Sequence, residues 1–462
     1  MAEKNAEVME KIVSLCKRRG FIYQGSEIYG GLAGTYDYAP LGLAIKKKIE
    51  ALWWRQFVDE RTDMYGIDSS LISSAGIWNA SGHTSTFHDP LVEDLKTKKR
   101  YRADHLLEDA GHNAEGLSLQ ELGAKLKELD IQSPEGNPIS EPKVFNLLFP
   151  VYMGAVQSDD SLAYLRGETA QGMFTNFKNI LDSFSPKLPF GIAQIGRSFR
   201  NEIAPRDYIF RVRELEIMEF EYFITEAEWE AQFENWRNEY HRWFESLGFG
   251  KDDYKEVELD EKDRAHYSKR TMDFYFKYPF GFKEIGGIAY RTDFDLKNHM
   301  EHSGVDMRYM DPATNEKFVP HVIEPTFGLG RTVLAVIAKA YTEDEMGGES
   351  RIVLKLPKHL APYRAAVSPL LKNKPELVEK AREVFLMLKK EFGNIAWDDN
   401  GNIGKRYRRQ DEIGTPACIV IDFDTLGDEN PEHKDTVTVR DRDTGTQERV
   451  HIAELASYLM RA

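Results

Sequence analysis

The stretch RSFRNEIAPRDYIFRVRELEIMEFEYF, Arg197 to Phe223, sets arginines and carboxylates among aromatic residues. Successive side chains of a strand point to opposite faces. Arg200 and Glu202 would thus share one face, and on a returning strand Arg211, Arg213, Leu215, Ile217, Glu219 and Glu221 would share another. Two strands paired across the loop IAPRDY would make a floor grading from a cationic to an acidic end. The cationic end suits a polyphosphate, the acidic end suits an ammonium group, and Leu215 between them could lie against a flat base. No G-x-x-x-x-G-K-[ST] occurs, so phosphate binding here would not use a P-loop. The plain alternative is a surface ladder of ion pairs, each worth less than ~1 kcal/mol.

A second element narrows the choice. IEPTFGLGR sets Glu324 at a strand end, Gly328 and Gly330 in a turn, and Arg331 at the start of an apolar helix. Glycine lets a backbone approach a ligand closely, and a cation there adds to the positive end of the helix dipole. An R-x-E strand pair followed by strand, GLGR and helix is more specific than either part alone.

These residues must be held by surrounding elements, and punctuation locates them. MAEKNAEVMEKIVSLCKRRG reads as an amphipathic helix. Pro40 starts another, with Ile45, Ile49, Leu52 and Trp53 on one face. Residues about 93–150, broken by SPEGNPISEP, read as a helical insertion. Residues 226–247 form a helix striped by Trp229, Phe233, Trp236, Tyr240 and Trp243. GGES at 347–350 reads as a linker, and beyond it strand and helix signals alternate as a small α/β domain.

Composition sets outer limits. The 462 residues suffice for two or three domains, and 41% hydrophobic with 30% charged is ordinary globular composition. No apolar run approaches ~18 residues, so no membrane span is expected. Two cysteines far apart, Cys16 and Cys418, give no disulfide framework and point to a cytoplasmic setting. The histidines His83, His88, His105 and His112 lack cysteine partners and make a weak metal signal. The net charge of −15 is uneven: residues 351–462 hold 19 Lys+Arg against 18 Asp+Glu, leaving −16 on the rest. Lys405, Arg406, Arg408 and Arg409 form a basic patch within that last part.

With these residues placed, APLG and its helix, FRNEI…FRVRELE, and EPTFGLGRT resemble motifs 1, 2 and 3 of the class II aminoacyl-tRNA synthetases. RGFIYQGSEIYGGLAGTYDYAPLG, RADHLLED, LRGETAQGMFTNFKN and KEIGGIAYRTDFDL resemble the homodimeric glycyl-tRNA synthetases in particular. IGKRYRRQDEIGTPACIVIDFD resembles the anticodon-binding domain shared with threonyl, prolyl and histidyl enzymes. The resemblance covers nearly the whole chain and is weakest in residues 106–143 and 250–265.

It implies an α+β fold: an antiparallel catalytic sheet flanked by helices over residues 1–349, then a mixed α/β anticodon-binding domain over 350–462. It implies a homodimer that uses ATP and Mg²⁺ to activate glycine and then charges tRNA(Gly). Arg200, Arg331 and Glu324 would be the catalytic groups. ATP would meet Arg200, Asn201, Glu202, Phe210, Arg211, Val212, Arg213, Glu214, Leu215, Glu284, Ile285, Gly328, Leu329, Gly330 and Arg331. Glycine would meet Arg102, Glu168, Leu215, Glu219, Glu324, Thr326 and Gly328. Glu284 and Glu324 would carry the Mg²⁺, and Lys405, Arg406, Arg408 and Arg409 would touch tRNA. The glycine carboxylate would attack the α-phosphorus in line, without a covalent nucleophile from the protein.

Four positions depart from the family pattern. Leu215 replaces a phenylalanine, Gly167 a proline, Thr326 a serine and Ala39 a glycine, and none removes a charged group. Two rival readings are a non-catalytic nucleic-acid-binding subunit, like the accessory subunit of mitochondrial DNA polymerase, and a ligase for alanine or serine. Arg200, Arg211 and Arg331 disfavour the first, and the pair Glu168 and Glu219 the second.

Overall fold

The structure, a computed structural model, describes residues 2–114, 116–428 and 430–461, with side chains from residue 7 onward. Helix α1 spans Ala2–Arg19 and α2 spans Pro40–Trp54, with Pro40 in its first turn, where a missing N–H costs nothing. The central sheet contains β1 (Met64–Gly66), β2 (Phe190–Phe199), β3 (Glu214–Ile224), β4 (Tyr254–Glu258), β5 (Arg270–Tyr278), β6 (Gly281–Thr292) and β7 (His321–Gly328). Their order is β4–β5–β6–β7–β3–β2–β1, antiparallel except where β1 runs parallel to β2.

Alternation sorts the two faces of this sheet. Met218, Phe220, Ile323 and Phe327 share a core with Ile45, Ile49 and Trp53 of α2 and with the aromatic stripe of α4 (Trp229–Ser246). Tyr240 of that stripe stacks on Phe274 and Phe327, with centroids 4.0 and 4.2 Å away. The other face carries Ile192, Phe223 and Val322 under α3 (Ala170–Phe184) and α5 (Phe294–Ser303). Cross-strand partners keep side chains on one side, so this second face continues into Glu219, Glu221, Glu324 and Thr326. Polar residues replace apolar ones there, and that is where the clefts lie. Helix α6 (Leu329–Ala340) leaves the end of β7 and buries Val333, Leu334 and Ile337 in the first core.

Trp53 is fully buried, and the ring of Trp54 lies over Gly66, where a Cβ would come within 2.4 Å of it. Both rings therefore pack against their own chain. The insertion contains strands as well as helices. His88–Glu93, Arg100–Arg102 and Lys143–Asn146 form a sheet beside a small core of Val92, Leu106, Leu107, Leu122 and Leu126.

The GGES segment is no linker. Strands β8 (Tyr341–Met346) and β9 (Glu349–Leu354) form a hairpin whose turn is Gly347–Gly348, at φ 64° and 81°. Positive φ at both turn residues is the condition for a tight two-residue hairpin, and glycine meets it without strain. Beyond it, β10 (Ala365–Pro369), β11 (Ile395–Trp397), β12 (Ala417–Ile421), β13 (Thr436–Asp441) and β14 (Gln447–His451) form a mixed sheet in the order β11–β10–β12–β13–β14. Helices α7 (Pro375–Phe392), α8 (Ile403–Ile413) and α9 (Leu455–Arg461) accompany it; α7 and α9 bury Leu377, Val384, Leu388, Leu455 and Leu459 in a separate core.

Candidate active site

Two clefts open on the polar part of the central sheet. The first is lined by Tyr36, Tyr38, Arg200, Glu202, Phe210, Arg211, Val212, Glu214, Leu215, Gly328, Gly330 and Arg331. Strands β2 and β3 run antiparallel, with Phe199 opposite Glu214, and the loop 200–213 brings Arg200 and Glu202 over β3. Arg331, in the first turn of α6, stacks on Phe210 at 4.6 Å. Two polar atoms here are buried without a partner in the protein: Glu202 Oε2 and Arg211 Nη1. Buried polar groups are nearly always hydrogen-bonded. An orphaned acceptor and an orphaned cationic donor in one cleft fit a ligand with an amino edge and an anionic tail. Burial pulls the Arg211 guanidinium below its usual range, and the neighbouring Arg102, Arg206 and Arg331 add to this against the pull of Glu202.

The second cleft is lined by Glu168, Arg200, Ile217, Glu219, Tyr267, Asp273, Glu284, Glu324 and Thr326. Glu219 accepts hydrogen bonds from Thr326 Oγ1 at 2.7 Å and from Thr169. Burial, and then the Glu168 charge, raise its carboxyl. Burial also acts on Glu168, but the neighbouring His83 and Arg291 outweigh it and hold that group well below the usual carboxylate range. Oxygens of Glu219, Glu221 and Glu324 lie within 4.8 Å of one another. Glu221 is fully buried with neither oxygen partnered, and burial, then the Glu324 charge, push its carboxyl well above the usual range. Arg291 is fully buried and divides its donors between Asp295, at 2.8 Å twice, and Glu324 at 2.7 Å. Acidic groups outnumber cations, which suits a small ammonium ion. Arg200 lines both clefts and donates from Nε to the carbonyl of Gly167 at 3.2 Å.

Several expected residues stand elsewhere. Arg102 pairs with Asp89 and Asp104, at 2.8 and 2.5 Å, and does not line the acidic cleft. Leu215 and Gly328 belong to the first cleft only. Ile285 and Leu329 are core side chains. Asn201 serves through its backbone N–H, which donates to Leu147 at 2.8 Å. Arg213 is spent on the carbonyls of Ala33 and Glu202 and holds the loop rather than a ligand.

A shared cation site of Glu284 and Glu324 does not form. Ala289 pairs with Glu324, so Glu284 lies five positions further along β6, on the order of 16 Å of strand. Glu324 is buried against Arg291. Glu284, half exposed and paired with Arg331 at 3.0 Å, is the carboxylate a phosphate-bound cation could reach.

In the basic patch Arg406 is 2% exposed and donates to the carbonyls of Pro369, Asp399 and Gly401. It braces the domain and cannot reach tRNA. Arg409 is held by Asp398 at 2.6 Å and Arg408 by Glu349 at 3.1 Å, and both line, with Lys405, a groove shared with Arg19 and Arg440. Spacing alone missed Arg291, Thr169 and His83. Arg291 stands in YRTDFDL and His83 in SGHTSTFHDP, where only their tertiary partners reveal their roles.

The description "tRNA synthetase class II core domain (G, H, P, S and T)" belongs to a family model matching residues 155–340, and "Anticodon binding domain" to one matching 364–461. The chain is 45% identical to the glycine–tRNA ligase of Thermus thermophilus over 98% of both chains. It is 46% identical to that of Deinococcus radiodurans, covering 98% of this chain and 99% of the other. With the Bacillus cereus enzyme the identity is 46% over 98% of each. A chain with these two domains, aligned end to end with such relatives, belongs to the glycine–tRNA ligase family of class II aminoacyl-tRNA synthetases.

Proposed function

We propose that this chain activates glycine with ATP to glycyl-adenylate and transfers the glycyl group to the 3′-terminal hydroxyl of tRNA(Gly). The observation that carries the reading is Arg200, common to both clefts, one fitted to a nucleotide and the other to an ammonium ion. A group at that junction meets the α-phosphate, the one part of ATP that glycine must reach.

Each protein group then has a task. Glu202 accepts from the adenine amino edge, and Arg211 and Arg331 take the outer phosphates. Glu168 and Glu219 grip the ammonium group and aim the carboxylate at phosphorus. Arg200 stabilises charge that grows as pyrophosphate leaves, and orientation supplies the rest of the acceleration. Glu284 would hold a magnesium ion bound with ATP, which would supply neutralisation of phosphate charge. No helix among the described residues is long and apolar enough to cross a membrane. Two unpaired, buried cysteines suit a reducing cytoplasm.

The test is amino-acid-dependent exchange of labelled pyrophosphate into ATP, run with each of the twenty amino acids. Glycine should drive exchange well above the others. Faster exchange with alanine or serine would overturn the glycine assignment, and no exchange with any amino acid would overturn activation itself.

A further inference from the structure

His83 was notable in the sequence as one of four histidines without metal partners, and the proposed mechanism leaves it unused. It is 5% exposed, in the turn of helix His83–Thr86 that follows Gly82. Its Nε2 lies 3.1 Å from Glu168 Oε2, and its Nδ1 lies 2.8 Å from the hydroxyl of buried Ser81. Trp78 and Phe87 meet the ring edge-on, with centroids 5.2 and 5.3 Å away. The imidazole therefore has little freedom to turn. An ionised Glu168 can only accept, so the proton on this contact belongs to Nε2.

The other oxygen of Glu168 accepts from Gln171 Nε2 at 2.9 Å, and Gln171 is fixed by His299 at 2.8 Å. Each carboxylate oxygen thus has one protein donor and keeps lone pairs for a further one. Glu168 follows Gly167, a residue with wide backbone freedom. Arg200 steadies the Gly167 carbonyl, while His83 and Gln171 orient the Glu168 carboxylate itself. We propose that His83 is a positioning residue for glycine capture, holding Glu168 in the orientation that receives the ammonium group. This rests on the reading of the acidic cleft as the glycine site.

The experiment measures pyrophosphate exchange by the full chain with glycine and ATP each varied. His83→Leu, which keeps bulk but removes the donor, should raise the KM for glycine ~10-fold or more, on the scale of a lost hydrogen bond to a charged group. The KM for ATP should stay within about twofold and kcat within about threefold. His83→Gln can still donate to Glu168 and should return the glycine KM to within about threefold of the wild type. A glycine KM unmoved in His83→Leu, or a Gln variant as impaired as the Leu variant, would overturn the proposal. So would parallel rises in both KM values. If His83→Leu does not fold, Ser81→Ala tests the same relay, with a rise of about threefold in glycine KM alone expected and no rise counting against it. Wild-type exchange that ignores glycine would instead refute the parent reading.

Discussion

At the scale of single residues, the role proposed for Arg200 is to meet charge that builds on the α-phosphate only as pyrophosphate departs. Arg200→Ala should lower the glycine activation rate ~10²–10³-fold, the scale for losing a donor to developing charge. A rate within threefold of wild type would refute that role. Selectivity turns on room at the α-carbon, since glycine has no side chain to recognise. Thr326 contributes a methyl group to the slot while its hydroxyl holds Glu219 at 2.7 Å. Thr326→Gly should relax discrimination against alanine by ~10-fold or more, the worth of one methyl in a packed pocket. Thr326→Ser keeps the hydroxyl and separates the methyl from the hydrogen bond. Exchange rates with alanine and glycine measure both. Asp273, in the same cleft, has its pKa raised to about 7 by burial and by the Glu284 charge, with Arg331 opposing. In the unfolded chain it ionises near ~4. The folded state therefore binds the extra proton between those values, and stability falls as pH rises through that window. Asp273→Asn should melt close to wild type at about pH 4 and above it at pH 8. Melting curves with the same gap at both pH values would contradict this.

At the scale of elements, helix α8 shows how a cluster of like charges divides once folded. Exposed Lys405 and half-buried Arg408, which pairs with Glu349 at 3.1 Å, line a groove, whereas Arg406 is turned inward to satisfy backbone carbonyls. Replacing Lys405 and Arg408 with Ala should weaken tRNA charging and reduce its salt slope by about 1–2, with adenylate formation intact. Arg406→Ala should instead cost ~2–4 kcal/mol in stability, because buried acceptors lose a charged donor. Equal loss of charging without loss of stability in that variant would contradict the division. The same helix marks the limit of reading from sequence. Period-2 alternation was enough to find the acidic face of β3, since it depends on local geometry alone. But it put Arg200, Glu202, Arg211 and Arg213 on strands, whereas they stand in the loop between β2 and β3. The strand-to-helix change at GLGR was legible too, but without the expected turn: Gly328 ends β7 and Gly330 lies within α6. Which cation in KRYRR is buried depends on carbonyls of Pro369 and Asp399, brought there by the fold. Arg291 and His83 were invisible for that reason too. The turn at GGES and the seat of Trp54 over Gly66 likewise depend on neighbours that no local pattern announces.

At the scale of the whole molecule, two separate cores are joined by polar ties. Asp411 of α8 takes Arg351 from the β9 strand and Arg440 from β13, at 3.1 and 2.8 Å, all three buried. Glu412 beside it binds Arg18 and Arg19 of α1. These ties fix the C-terminal domain to the first and last parts of the catalytic body. We propose that self-association uses the loop between α1 and α2. Ile28, Tyr29 and Leu32 are 89%, 87% and 55% exposed there, and exposed apolar groups that cluster are candidates for an interaction site. The loop is not loose: Gln24 donates to the Leu32 carbonyl at 2.7 Å, and Leu32 N–H donates to Gly25 at 3.0 Å. It also backs onto the nucleotide loop, because Arg213 donates to Ala33 and Gly34 packs against Pro205. A second copy seated on Ile28 and Tyr29 would therefore steady the residues that hold ATP. We expect the chain to be a dimer in sedimentation at micromolar concentration. Ile28→Asp with Tyr29→Asp should yield a folded monomer whose KM for ATP rises more than its KM for glycine. A wild-type monomer at that concentration with full exchange activity would refute the dimer. A double variant that stays dimeric would move the interface elsewhere and remove the link between assembly and ATP binding.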